Sequence, residues 1–246
     1  MNKIFTKYLF LNDFIGWRRS VLPAAAGAAG LALAACAWAQ MPPSATEAAR
    51  YTGLLAAAHG GHVAQIENLL AGGADVNLRD TYGRTALHVA TFARKPDAVR
   101  ALIKGGAKTA LLENDKYDAV TVAAVADDEA TLRALLSSGA SAKLTTSRYD
   151  GTALIAAAHL GHDGVVKQLM AAGAPLDHVN NLHWTALIES IVLGDGGLRH
   201  VETLRALVKA GANLQLTDRQ GNTPLTLART RGYSAMVKIL LEAGAK

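Results

Sequence analysis

Eight histidines and a single cysteine are the residues of this chain whose types invite chemistry. His59 and His62 recur as His159 and His162, two pairs at i, i+3 spacing. Two imidazoles at that spacing are half of a zinc site, yet no cysteine or carboxylate stands where it would complete one. His88 lies alone in Thr85-Ala86-Leu87-His88-Val89-Ala90, and His178, His183 and His200 are scattered through expected loops and turns. No glycine-rich phosphate loop, nucleophile elbow or His-Glu-x-x-His helix occurs. The chain therefore predicts no catalytic residue, no metal, no cofactor and no small-molecule substrate. Cys36, having no partner cysteine, excludes an internal disulfide.

The elements that position these residues repeat. Gly-Ala pairs begin at Gly73, Gly106, Gly139, Gly173, Gly211 and Gly244, spaced by 33, 33, 34, 38 and 33 residues. A period near 33 marks units too small to bury their own apolar faces, which must stack on neighbours. Before each pair runs an i, i+3, i+4 apolar triplet: Ile66/Leu69/Leu70, Val99/Leu102/Ile103, Leu132/Leu135/Leu136, Val166/Leu169/Met170, Leu204/Leu207/Val208 and Val237/Leu240/Leu241. That spacing predicts a helix with one buried face, closed by glycine in the left-handed conformation. Upstream lies a second helix with a small residue at one register: Ala57, Ala90, Ala123, Ala157, Ser190 and Ala228. Small residues there allow close stacking of successive units.

The helix starts Thr85-Ala86-Leu87-His88-Val89-Ala90, Thr152-Ala153-Leu154, Thr185-Ala186-Leu187 and Thr223-Pro224-Leu225 resemble the T-P-L-H-x-A signature of ankyrin repeats. Gly73-Ala74-Asp75-Val76-Asn77 is similar to that family's G-A-D-V-N tail, and Gly61-His62 and Gly161-His162 to its inter-helix G-H. The resemblance implies an all-α ankyrin-repeat solenoid of helix pairs joined by short β-hairpin fingers. Six repeats fall at about 46–78, 79–111, 112–144, 145–178, 179–216 and 217–246. It also implies that His88 bonds loop backbone. Repeat three departs from the pattern: Asp118 replaces the threonine and Asp127-Asp128 the Gly-His, which predicts a lost cap, a lost turn glycine and the weakest unit. Repeat four has one extra residue in its finger (141–151), and repeat five carries five extra around Gly194-Asp195-Gly196-Gly197, where adjacent glycines predict mobility. Polar Arg229, Arg231, Lys238 and Glu242 are expected to solvate the last repeat.

The first 39 residues belong to another class. Lys3, Lys7, Arg18 and Arg19 precede an Ala/Gly/Leu run and Ala37-Trp38-Ala39, the pattern of an export signal with a peptidase site; 40–45 is then a linker. Arg18-Arg19 resembles a twin-arginine signal, with Trp17 out of pattern, so both general secretory and twin-arginine routes are open. Leu33-Ala34-Ala35-Cys36 is similar to a bacterial lipobox, which makes Cys36 a lipidation candidate. The expected location is the periplasm, or the membrane surface if Cys36 is acylated. Without residues 1–39 the net charge falls from +5 to +2, with 21 basic and 19 acidic side chains, too weak a field to demand nucleic acid or an anionic membrane.

The ankyrin resemblance implies a monomeric, non-catalytic protein that binds a partner protein through its concave face and finger tips. Carried over by register, that face presents Tyr82, Arg84, Tyr117, Arg148, Tyr149, His183, Trp184 and Arg219 on the fingers. On the first helices it presents His59, Phe92, Val125, His159, Leu160, Val192 and Leu193. Tyrosine, tryptophan and arginine are the types enriched at interface hot spots. The alternative is a lipid-anchored accessory protein that holds or protects a periplasmic enzyme.

Overall fold

The computed structural model describes residues 40–246; the expected export signal, Arg18-Arg19 and Cys36 lie outside the described residues. After a single turn, α1 (Ala45–Ala48), the chain makes six helix pairs. They are α2 (Gly53–Gly60) with α3 (Val63–Ala71), α4 (Ala86–Phe92) with α5 (Pro96–Lys104), and α6 (Ala119–Val125) with α7 (Glu129–Ser137). The others are α8 (Ala153–His159) with α9 (Asp163–Ala171), α10 (Ala186–Val192) with α11 (Leu198–Lys209), and α12 (Pro224–Thr230) with α13 (Ser234–Glu242). First helices pack on first helices and second on second, forming two layers along the array.

The small-residue column explains the close stacking. Ala57, Ala90, Ala123, Ala157, Ser190 and Ala228 are all fully buried, and Ser190 returns its hydroxyl proton to the Leu187 carbonyl at 2.8 Å. The apolar triplets join Leu54, Leu87, Val120, Leu154, Leu187 and Leu225 of the first helices in one continuous core, the third members of the first five triplets packing half-buried against it. Leu241, the corresponding residue of the sixth triplet, is 47% exposed.

Helix ends follow the expected chemistry. Gly73 (φ 86°) and its counterparts adopt the left-handed conformation, and the amides that follow return to the helix, Gly73 N–H to Leu70 O and Ala74 N–H to Leu69 O, both 3.0 Å. Thr152, Thr185 and Thr223 cap their helices by accepting the amides of Ile155, Ile188 and Thr226. Repeat three corrects the expectation of a lost cap: Asp118 accepts the Thr121 amide at 2.9 Å, and Asp128 caps α7 through the Thr131 amide at 3.1 Å. The left-handed turn residue is kept as well, as Asp127 at φ 53° where repeats one and four use Gly61 and Gly161.

The five-residue insertion of repeat five divides between two places. Five residues (193–197) separate α10 from α11 where three (93–95) separate α4 from α5, and α11 has 12 residues against nine in α5. Its glycines serve close packing: a Cβ on Gly194 would strike the Ser190 carbonyl, and one on Gly196 the Tyr233 ring. Tyr233 Oη donates to Gly194 O at 2.8 Å, so the turn is tied to repeat six.

Candidate functional site

The fingers are closed by a side-chain column rather than by long β-ladders. Asp80, Glu113, Asn180 and Asp218 each accept the backbone amides two and four residues ahead, at 2.8–3.0 Å. Ser147 takes only the nearer one, at 3.2 Å. The longer fourth finger adds a two-stranded antiparallel ladder, β1 (Thr145–Thr146) with β2 (Gly151–Thr152). Successive fingers are laced by amides, Asn114 N–H to Tyr82 O at 3.0 Å and Asn181 N–H to Tyr149 O at 2.9 Å. The tips thus form a connected edge beside the first helices.

On that edge Tyr82 and Tyr149 are each 38% exposed. Arg148 is exposed and pairs with Asp115 of the previous finger; Arg219 and His183 are exposed, and Trp184 is half-buried. On the first helices His59, Phe92, Val125, His159, Leu160 and Leu193 are half-buried. Arg84, Tyr117 and Val192 correct the sequence reading, because all three are buried. Arg84 and Tyr117, each immediately before a helix cap, turn inward, Val192 is packed at the end of α10, and Trp184, at the register of Arg84, stays half-buried. Arg84, 2% exposed, pairs with Asp80 at 2.7 Å and Glu47 at 3.5 Å and donates to the Met41 carbonyl at 3.2 Å. Tyr82 lies over its guanidinium at 4.4 Å, and Tyr51 Oη donates to Asp80 at 2.8 Å. Arg84 therefore fastens the N-terminal segment onto the first finger. The Ser44 backbone amide, donating to Glu47, holds that carboxyl down to about 2, so this cluster is ionised. At the same register Tyr117 is buried, which pushes its phenol up to about 12.

The histidines are structural. His88 Nδ1 faces Thr85 Oγ1 at 2.9 Å and the Thr85 amide at 3.2 Å, and Nε2 meets the Tyr117 carbonyl at 3.2 Å. An amide pointing at Nδ1 and a carbonyl at Nε2 require the neutral Nε2–H tautomer. Burial pushes its pKa down to about 4, in keeping with that state. His162 Nδ1 reaches the Ala124 carbonyl at 2.9 Å and His200 Nε2 the His159 carbonyl at 2.9 Å, each supplying a donor to a helix end of the preceding repeat. His200, expected in a loop or turn, is instead buried in α11, with Nδ1 2.8 Å from Asp195.

Sequence reasoning missed one feature of this face. Glu189, on α10, is buried between His159 and Asn180: Asn180 Nδ2 donates to Oε1 at 2.8 Å, and His159 Nδ1 lies 3.3 Å from Oε2. The available signal was an acid in a register that otherwise reads Ala56, Val89, Val122, Ala156 and Leu227.

The family model "Ankyrin repeats (3 copies)" matches residues 33–118, 54–146, 120–218 and 154–246, overlapping windows that run across the array. This chain belongs to the ankyrin-repeat family. It is similar to the ankyrin repeat protein YahD of Escherichia coli (strain K12), 34% identical over 192 residues, 78% of this chain and 95% of that one. Among solved structures it is similar to an ankyrin repeat domain from Acinetobacter baumannii AYE, with 44% identity and a TM-score of 0.74 over 78% of this chain and 98% of that chain. It is also similar to a chain of the Bd0816 predatory endopeptidase from Bdellovibrio bacteriovorus in complex with immunity protein Bd3460. That likeness, at 24% identity and a TM-score of 0.64 over 78% and 98% of the two chains, is one of fold.

Ankyrin repeats are protein–protein interaction modules and are generally non-catalytic. Among the described residues no three or more potential metal ligands gather, and no helix is long and apolar enough to cross a membrane. Two surface recesses, of about 470 and 440 Å³, lie around Val237 and Leu241 and around Met170 and Ala206. Neither is lined by any of the finger-tip or first-helix residues named above. A protein partner needs an extended surface with anchoring side chains rather than an enclosed cavity.

Proposed function

We propose that this protein binds a partner protein in the bacterial envelope through its finger tips and first helices, without catalysing a reaction of its own. The observation that carries the reading is the set of half-buried apolar Phe92, Val125 and Leu160, with His159 among them, edged by exposed Tyr82 and Tyr149. An apolar row with aromatic margins, left partly in solvent, is the surface a partner covers. Trp184 and Arg148 extend the edge, whereas Arg84, Tyr117 and Val192 support it from beneath. The envelope location rests on the sequence of residues 1–39. The Bdellovibrio complex, in which a protein of this fold class was solved with a protein partner, supports partner binding as the mode of action. A role in holding or protecting an enzyme is the narrower version, with Cys36 lipidation deciding whether it acts at a membrane.

Phe92→Ala with Tyr149→Ala tests the surface. A central aromatic hot spot is worth about 2 kcal/mol or more of binding, so the double variant should lose the partner that co-purifies with the wild type while remaining folded. Retained capture by the folded double variant would place the interface elsewhere. A reporter fused to residues 1–39 should reach the periplasm, and intact mass of the mature protein reads whether Cys36 is removed or acylated; a cytoplasmic reporter refutes the location.

A further inference from the structure

A carboxylate buried on the partner-facing side of a solenoid calls for an explanation. Glu189 has only 7% of its side chain exposed. Removing a carboxylate from water is costly unless it is compensated, and apolar residues of similar volume commonly do as well or better. The array itself shows the alternative, because the same register holds Ala56, Val89, Val122, Ala156 and Leu227 in the five other repeats. Packing therefore does not require an acid there.

The group is also built into place. Asn180 accepts the amides of Leu182 and Trp184 at 3.0 Å through Oδ1, which fixes its Nδ2 on Glu189 Oε1 at 2.8 Å. His159, from the preceding repeat, stands 3.3 Å from Oε2 and is the more exposed member at 12%. A carboxylate offers about four acceptor positions; Asn180 fills one, on Oε1, and His159 only stands close to Oε2. Among the described residues no lysine or arginine pairs with Glu189. Glu189 is the only acid of the cluster, and His159 stands at the same first-helix register as Phe92 and Val125.

We propose that Asn180, Glu189 and His159 form a recognition point for a cationic side chain, arginine or lysine, of the partner. Its donors would take the remaining acceptor positions of Glu189, a charge-assisted contact stronger than a neutral one. The proposal rests on the reading of this face as the binding surface and names the chemistry that gives it specificity. The apolar row supplies contact area, and the buried acid selects a basic residue at one register.

The test needs no identified partner. The full chain at pH 8 is titrated with N-acetyl-arginine methylamide or N-acetyl-lysine methylamide, with the leucine analogue as control, and the His159 ring is followed by NMR, assigned with His159→Gln. Both basic probes should give a saturable shift at millimolar concentration and the leucine probe none. Glu189→Gln should weaken the response at least about tenfold. Glu189→Leu should still fold, slightly less stably because Asn180 Nδ2 loses its acceptor, and abolish the response. No saturable shift, or an equal one in Glu189→Gln, overturns the proposal; so does marked destabilisation of Glu189→Leu, which would make the acid a structural part. Partner capture that depends on Phe92 and Tyr149 without any response to basic probes ends this proposal and leaves the surface standing. A response to the probes with partner capture insensitive to those two residues overturns the surface instead.

Discussion

Repeats two and three solve the same problem with opposite chemistry. Each must hold the start of its first helix and reach across to the next finger. Repeat two uses a neutral imidazole: His88 takes the Thr85 hydroxyl and amide on one side and donates to the Tyr117 carbonyl on the other. Repeat three uses a carboxylate: Asp118 Oδ1 accepts from the Thr121 amide and hydroxyl, and Thr121 faces Thr146 of the next finger at 3.1 Å. His88 leaves no buried nitrogen unpaired, whereas Asp118 Oδ2 is buried without a partner. Burial disfavours the charged form of both groups, so it lowers His88 to about 4 and raises Asp118. Shape and register are conserved between the two units. The electrostatic cost falls on repeat three.

The largest way to break this comparison is His88→Ala. It opens a cavity and strands the Tyr117 carbonyl, so a loss of about 3 kcal/mol is expected from chemical denaturation. A loss below about 1 kcal/mol would mean that the tether carries little. Acid should act in the same direction. The folded state resists protonating His88, so stability falls as pH drops from the ordinary imidazole value towards 4, by roughly 3 kcal/mol at most. In His88→Ala that part of the pH dependence should vanish.

Next in size is Asp118→Thr, which keeps a cap of the kind seen at Thr152 and Thr185 and removes the orphaned buried oxygen. A gain of about 1–2 kcal/mol at neutral pH is expected. For a carboxyl raised in the folded state, the penalty is complete above the folded pKa and disappears as pH falls to the ordinary carboxylate value. The gain should shrink on acidification over that window; a gain independent of pH would show that the charge is not the cause.

The smallest effects concern the inter-helix turn. Asp127→Gly relieves a left-handed non-glycine residue, worth about 1 kcal/mol, but loses the 2.7 Å pair with Arg199, worth a few tenths in solvent. A net gain of about 0.5 kcal/mol is expected in the denaturant midpoint. Asp128→Ala should instead lose about 1 kcal/mol, because that side chain caps α7. If Asp128→Ala were neutral, the cap would be redundant.

The periodic parts of this molecule were readable because their physics is periodic. Ile66 and its counterparts, the column of Ala57 and Ala90, and the glycines at 73 and 106 each recur at one register for one reason. The fingers resisted because no helical period tells whether a loop side chain turns in or out. Arg84 and Tyr117 occupy the inward position and Tyr82 and Tyr149 the outward one, two residues earlier in the finger. Asp118 and Asp128 looked like losses only because threonine and histidine were the expected types; short acids cap helices as well. The Glu189 cluster draws on three elements, with Asn180 nine residues and His159 thirty residues away, so only its break in an apolar column could have betrayed it.

The repeat-five insertion has a consequence for how this array can change. Two of its residues enter the turn and three lengthen the start of α11, while the fingers before and after it keep their spacing to the helix caps. Tyr233 and His200 then clamp the enlarged turn to the units on either side. Length has been added at the edge away from the fingers without shifting the phase of the surface they present. A gene encoding this fold can thus acquire sequence at the turn and leave the spacing of its contact points undisturbed, as a comb keeps its pitch when its spine is thickened.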